Sequence, residues 1–139
     1  MADIVLGYDG SESSKEALPV AVGLAKDLGA TLVIAFAYGT NPVGGGAGDQ
    51  EREIEKIGEG LLAEAAAAAG AIDASVTVVT EEVNGEAVEG LHALAADRGA
   101  RMLVIGGDKS GPVWGTIEGG VAYRIVAHSP VPVLVVTPA

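Results

Sequence analysis

A chain of 139 residues with 49% hydrophobic but only 4% aromatic residues has room for one domain with a core of Ala, Val, Leu and Ile, and is too apolar to be disordered. Its formal net charge of −11, with eight Lys and Arg against nineteen Asp and Glu, argues against duplex DNA or RNA as a partner, because such binding needs several basic phosphate contacts. Cysteine is absent, which excludes a disulfide framework and any thiolate metal site.

The start, Met1-Ala2-Asp3-Ile4-Val5, enters an apolar run without a basic leader, and no later run reaches the ~18 apolar residues that span a bilayer. A cytoplasmic protein that does not engage a membrane is expected. Ile4-Val5-Leu6 reads as a first strand, closed by Gly7-Tyr8-Asp9-Gly10. Ser11-Glu12-Ser13-Ser14 then offers N-caps for a helix whose apolar face is Leu18, Ala21, Val22, Ala25 and Leu28. Pro19 falls inside that helix and predicts a bend near its second turn, and Gly29 suits the C-cap.

Leu32-Val33-Ile34-Ala35-Phe36-Ala37 is the second strand, and residues 39–49, with Pro42 and three consecutive glycines, read as a loop. Residues 51–69 follow as a helix with Ile54, Ile57, Leu61 and Ala65 on one face. Residues 76–83 form a third strand. A helix over 86–97 carries Val88, Leu91 and Leu94, and 102–105 is a fourth strand. A glycine-rich loop containing the single tryptophan, Trp114, leads to a last helix and a fifth strand over 132–136.

Strands alternating with helices specify an α/β fold: a single-domain, open, five-stranded parallel sheet with right-handed crossovers and helices on both faces. Ligands of such sheets bind beyond the carboxyl ends of the strands, where the strand order reverses. Asp9 and Gly106 both follow strands and are expected to meet there. Val104-Ile105-Gly106-Gly107-Asp108-Lys109-Ser110-Gly111 followed by Gly119-Gly120-Val121 is the order strand, glycine-rich loop, helix, which presents backbone N–H groups to a phosphate.

Two nucleotide fingerprints are absent. Lys109-Ser110 follows Asp108 rather than glycine, and Leu103 stands where a Walker A loop has its first glycine. Gly7-Tyr8-Asp9-Gly10 replaces the Gly-x-Gly-x-x-Gly of a dinucleotide site. His92 and His128 are too far apart in sequence to suggest a ligand pair, and His128 suits a helix C-terminus. Neither a nucleophile elbow nor a His-Glu-x-x-His helix is present, so no catalytic residues and no metal ligands are assigned and the chain is not read as an enzyme.

Gly7-Tyr8-Asp9-Gly10-Ser11, Val104-Ile105-Gly106, and the run from Gly119-Gly120-Val121 through His128-Ser129-Pro130 to Val135-Val136 resemble the universal stress protein family. The resemblance spans residues 1–139 and implies an adenine nucleotide alpha hydrolase-like, Rossmann-like sheet, usually in a homodimer. One subclass holds ATP at the strand ends through a pattern of Gly, two residues, Gly, nine residues, Gly, then Ser or Thr. Gly106 and Gly119 match it, whereas Lys109 replaces the second glycine and Gly120 the hydroxyl residue.

The nucleotide-binding set so implied is Gly7, Tyr8, Asp9, Ala37, Ile105, Gly106, Lys109, Gly119, Gly120 and Val121. ATP or another adenine nucleotide is the implied ligand, with Mg2+ entering only through it. Asp9 reads either as a contact to base or ribose or as a turn residue before the Ser11 cap. Lys109 adds a side chain where glycine would fit, yet is itself a phosphate cation. Glu118 opposes it, since a carboxylate ~5 Å from a phosphate charge costs about 3 kcal/mol at an effective dielectric of 20.

Two functions follow. One is a stress-response homodimer, paired through strand 131–136, that binds an adenine nucleotide weakly as a regulatory ligand. The other is a nucleotide-free protein acting through protein interaction, with a degenerate pocket. A slow ATPase is a third reading.

Overall fold

The computed structural model describes residues 3–38, 47–107 and 121–137. In chain order these form β1 (Ile4–Gly7), α1 (Glu12–Leu28), β2 (Leu32–Tyr38), α2 (Ala47–Ile72), β3 (Val78–Asn84), α3 (Ala87–Asp97), β4 (Met102–Gly106), α4 (Val121–Ala127) and β5 (Val133–Val136). The five strands make one parallel sheet in the order β3-β2-β1-β4-β5, as the alternation predicts.

The sheet is buried on both faces at its centre, which is why β1, β2 and β4 read as continuous apolar runs rather than alternating ones. Ile4, Leu6, Leu32, Ile34 and Val104 pack on one face with Leu18, Ala21, Val22 and Ala25 of α1 and Leu62, Ala65 and Ala69 of α2. Val5, Val33, Leu103 and Ile105 face the other way, onto Val88, Leu91 and Ala95 of α3 and Ile125 of α4. Each such Val, Leu or Ile side chain contributes about 1.5–3 kcal/mol by burial. Truncating one, as in Ile34→Ala, removes about 2–5 kcal/mol because a cavity remains.

α1 starts where the sequence places it. Ser11 is the N-cap, its side chain accepting from the Ser14 N–H, and Gly29 closes the helix in the left-handed region at φ 64°. The helix is continuous through Pro19, which lies on the exposed side, so the carbonyl that loses its partner faces water.

α2 departs further from expectation. It begins at Ala47, inside the stretch read as loop, and ends at Ile72. Ile57, assigned to the apolar face, is 59% exposed, while the buried stripe runs through Gly58, Leu62, Ala65 and Ala69. The small residues let the helix approach the sheet closely, and that approach outweighs the larger side chains in setting its rotation. β3 is shifted to Val78–Asn84, and β5 starts at Val133, just after Pro132.

Candidate functional site

The strand order fixes where a ligand site belongs. From β1 the chain builds outward through β2 to β3, then returns to the other side of β1 as β4, so the order reverses between β1 and β4. At such a point the two following loops separate and leave a crevice beyond the strand ends. Gly7, Tyr8 and Asp9 leave β1 there, and Ile105 and Gly106 end β4 beside them.

A cleft of about 110 Å3, partly open to solvent, lies at this point. Its apolar lining comes from Gly7, Ala35, Ala37 and Ile105 of the strands and Ala87 and Leu91 of α3. Asp9, Ser11, Ser13 and Ser14, at the turn into α1, supply its polar side. A largely apolar lining with a few convergent polar groups is the usual chemistry of small-molecule sites.

Local contacts hold this geometry. Tyr8 N–H donates to the Ala35 carbonyl at 2.8 Å, continuing the sheet one residue past β1. Gly10, at φ 81°, turns the chain toward α1 in a conformation that disfavours any Cβ. Gly106 packs so tightly under the first turn of α1 that a Cβ would strike the Ser13 backbone carbonyl. The close approach brings the end of β4 against the start of α1.

Burial acts to raise the Asp9 carboxyl, but hydrogen bonds from Ser11 and Ser14 overcome it and hold the group below the usual carboxylate range. One of them is the Ser11 N–H donating to Asp9 Oδ1 at 2.9 Å. Asp9 is therefore an ionised acceptor at neutral pH, oriented by the helix it precedes. Tyr8 is 6% exposed, and its hydroxyl is pushed up by burial, then by Glu64, Asp9 and Glu12, so it stays protonated.

Six of the residues named from sequence, Gly7, Tyr8, Asp9, Ala37, Ile105 and Gly106, thus line one cleft. Val121 is the first residue of α4. Lys109, Trp114, Glu118, Gly119 and Gly120 lie outside the described residues. Sequence reasoning missed Ser11, Ser13, Ser14, Ala35, Ala87 and Leu91 as lining residues. The serines carry a signal, being in the first turn of a helix that starts at a strand end, but their chemistry in the sequence points first to capping.

His92 is accounted for by packing, since its Nε2–H donates to the Ile125 carbonyl at 2.8 Å and ties α3 to α4. His128 directly follows α4. Among the described residues no group of three His, Asp or Glu side chains is arranged to hold a metal ion. No helix among them is long and apolar enough to cross a membrane.

Known proteins agree with this architecture. A solved universal stress protein in complex with cAMP superposes with a TM-score of 0.78 at 28% identity, over 97% of this chain and 96% of that one. A universal stress family protein from Burkholderia pseudomallei gives a TM-score of 0.75 at 26% identity, over 96% and 95% of the two chains. By sequence, a Thermus aquaticus protein described as the universal stress protein in the QAH/OAS sulfhydrylase 3' region is 31% identical over 96% of each chain. With the sequence model of the universal stress protein family matching residues 1–137 as well, the chain belongs to that family.

Proposed function

We propose that the strand-end cleft binds an adenine nucleotide weakly, as a regulatory ligand of a cytoplasmic stress-response homodimer. The observation that carries this reading is the meeting of Asp9 and Gly106 at one cleft lined by small apolar residues. A flat base suits the surface offered by Ala35, Ala37 and Ala87. Asp9 can accept a hydrogen bond from an exocyclic amine or a ribose hydroxyl, since it is ionised and oriented before any ligand arrives. The similar protein in complex with cAMP supports the ligand class.

The weakness follows from the loop sequence. Lys109 in place of glycine and Gly120 in place of a hydroxyl residue remove up to two phosphate contacts worth ~1.5–3 kcal/mol each, so affinity falls by tens to thousands of times against the full pattern. Mg2+ enters through the nucleotide's phosphates. The chain is read as a regulatory binder rather than an enzyme. Pairing through β5 is supported by its place at the sheet edge and by the exposure of Leu134 on it and of Tyr123 and Val126 on α4.

The departures at Lys109 and Gly120 also favour the second reading, a nucleotide-free protein that acts through protein interaction. Heat release of copurified nucleotide, followed by calorimetric titration with ATP, AMP and cAMP, separates the two. Weak binding that Asp9→Ala removes is the expected result, with Trp114 fluorescence as an independent readout. Glu118→Leu should tighten binding and Lys109→Ala loosen it. Stoichiometric bound ATP, or sub-micromolar affinity indifferent to Lys109→Ala, would overturn the weak-binding reading. Absence of binding by all three nucleotides would remove the first reading and leave the second. Light scattering showing a monomer at micromolar concentration would remove the dimer.

A further inference from the structure

Away from the cleft, Glu82 lies on the edge strand β3 opposite Phe36 of β2, on the face covered by α2. Its Oε1 is buried and has no hydrogen-bond partner among the described residues. Room for it exists because α2 has Gly58 at the point of contact: a Cβ there would strike Glu82 Oε1 and come within 2.5 Å of Phe36 Cδ2. A buried carboxylate oxygen with no partner bears the cost of lost hydration when charged and a far smaller one when protonated.

Among the described residues the charges around it do not compensate. α2 supplies Glu59 and Glu55, which both act on Glu82 and are both negative. Arg52 and Lys56 of the same helix are exposed. β2 carries no charged residue. On β3 itself, Glu81 points to the opposite face, where the Arg98 guanidinium takes it at 2.6 Å. Burial first, then Glu59 and Glu55, push the Glu82 carboxyl above its usual range.

We propose that Glu82, with Glu55 and Glu59 above it, forms a pH-sensitive latch between β3 and α2, closed when Glu82 is protonated and loosened when it ionises. The folded chain holds this proton more tightly than the unfolded chain. The contribution of the latch to stability is therefore fully present below the ordinary carboxyl value of 4.5 and is lost as pH rises through the higher folded value. The latch does not depend on whether the cleft binds a nucleotide.

Urea unfolding of the native chain and Glu82→Gln, compared from about pH 4 to about pH 8, tests the latch. Glutamine keeps the shape and removes the charge, so its midpoint should exceed the native one at the high end, with the gap closing toward the low end. Hydrogen exchange corrected for intrinsic rates should show α2 amides losing protection with rising pH in the native chain and not in Glu82→Gln. In the native chain a carbon-13 titration of the Glu82 carboxyl should give an elevated midpoint that falls in the Glu55→Gln, Glu59→Gln double variant. A pH-independent gap, equal loss of α2 protection in both proteins, or a Glu82 midpoint that is ordinary or unmoved by the double variant would each overturn the proposal.

Discussion

The two ends of the sheet are built on opposite principles. At the carboxyl end, the contact that shapes the cleft is backbone against backbone, Gly106 under the Ser13 carbonyl, and it exists because a side chain is missing. Toward the amino end, side chains bind the elements together: Arg98, just after α3, donates to Asp3 before β1 at 3.0 Å and reaches along the sheet to Glu81, midway in β3, at 2.6 Å. Lys26, in the last turn of α1, meets Asp73 after α2 at 2.8 Å. A contact made by absence tolerates no substitution, since every side chain adds volume. A contact made by half-exposed charges is shared among several groups and screened by solvent, so each member can be removed at modest cost.

The sharpest way to break this contrast is Gly106→Ala. The methyl group meets backbone rather than the end of a flexible side chain, so we expect a loss of ~3 kcal/mol in urea unfolding, as for overpacked cores. Gly60 is the matched control: it is interior to α2, and a methyl group added there would meet nothing within 4 Å. Gly60→Ala should therefore gain about 0.5–1 kcal/mol through helix propensity. Equal effects at the two glycines would erase the distinction.

Arg98→Ala comes next, with an expected loss of about 1–2 kcal/mol that shrinks in high salt, because two partly buried carboxylates lose their shared cation. A double-mutant cycle with Glu81→Gln isolates the Arg98–Glu81 coupling, and a coupling of zero would place the stabilisation with Asp3 alone.

The smallest effect is expected from Lys26→Ala, on an exposed cation. Its signature is in pH dependence rather than size. Hydrogen bonds from Lys26 and then Ser75 hold the Asp73 carboxyl at about 2, below its ordinary 3.8. The contribution of the pair is therefore present above 3.8 and is lost as pH falls toward 2. Acid titration of stability should show native and Lys26→Ala chains differing at neutral pH and converging in strong acid.

The parallel sheet was legible because periodicity reports burial: runs such as Leu32-Val33-Ile34 are apolar at every position only when both faces are covered. The meeting of Asp9 and Gly106 was legible from topology alone, since both follow strands flanking the reversal of order. Rotation of α2 was not. Ile57 is larger than Gly58, and periodicity scores the larger residue, whereas the sheet selects the smaller one where close approach matters. Ala87 and Leu91 escaped for a related reason: nothing in their chemistry distinguishes a cleft wall from a core face, and Leu91 serves as both. The consecutive Glu81 and Glu82 did carry a signal. In a strand, neighbours point to opposite faces, so one glutamate had to go under each layer of helices.

The central position of β1 governs how the chain assembles as it leaves the ribosome. β1 emerges first and can pair early with β2, yet its other side pairs with β4, Ile4 against Met102. At typical elongation rates the intervening chain takes about 5–20 s to synthesise. Throughout that interval the half-built sheet of β1, β2 and β3 presents the bare flank of its innermost strand, Ile4-Val5-Leu6, to any other extended segment nearby. A segment that pairs there before β4 arrives would cover the residues that end up most deeply enclosed.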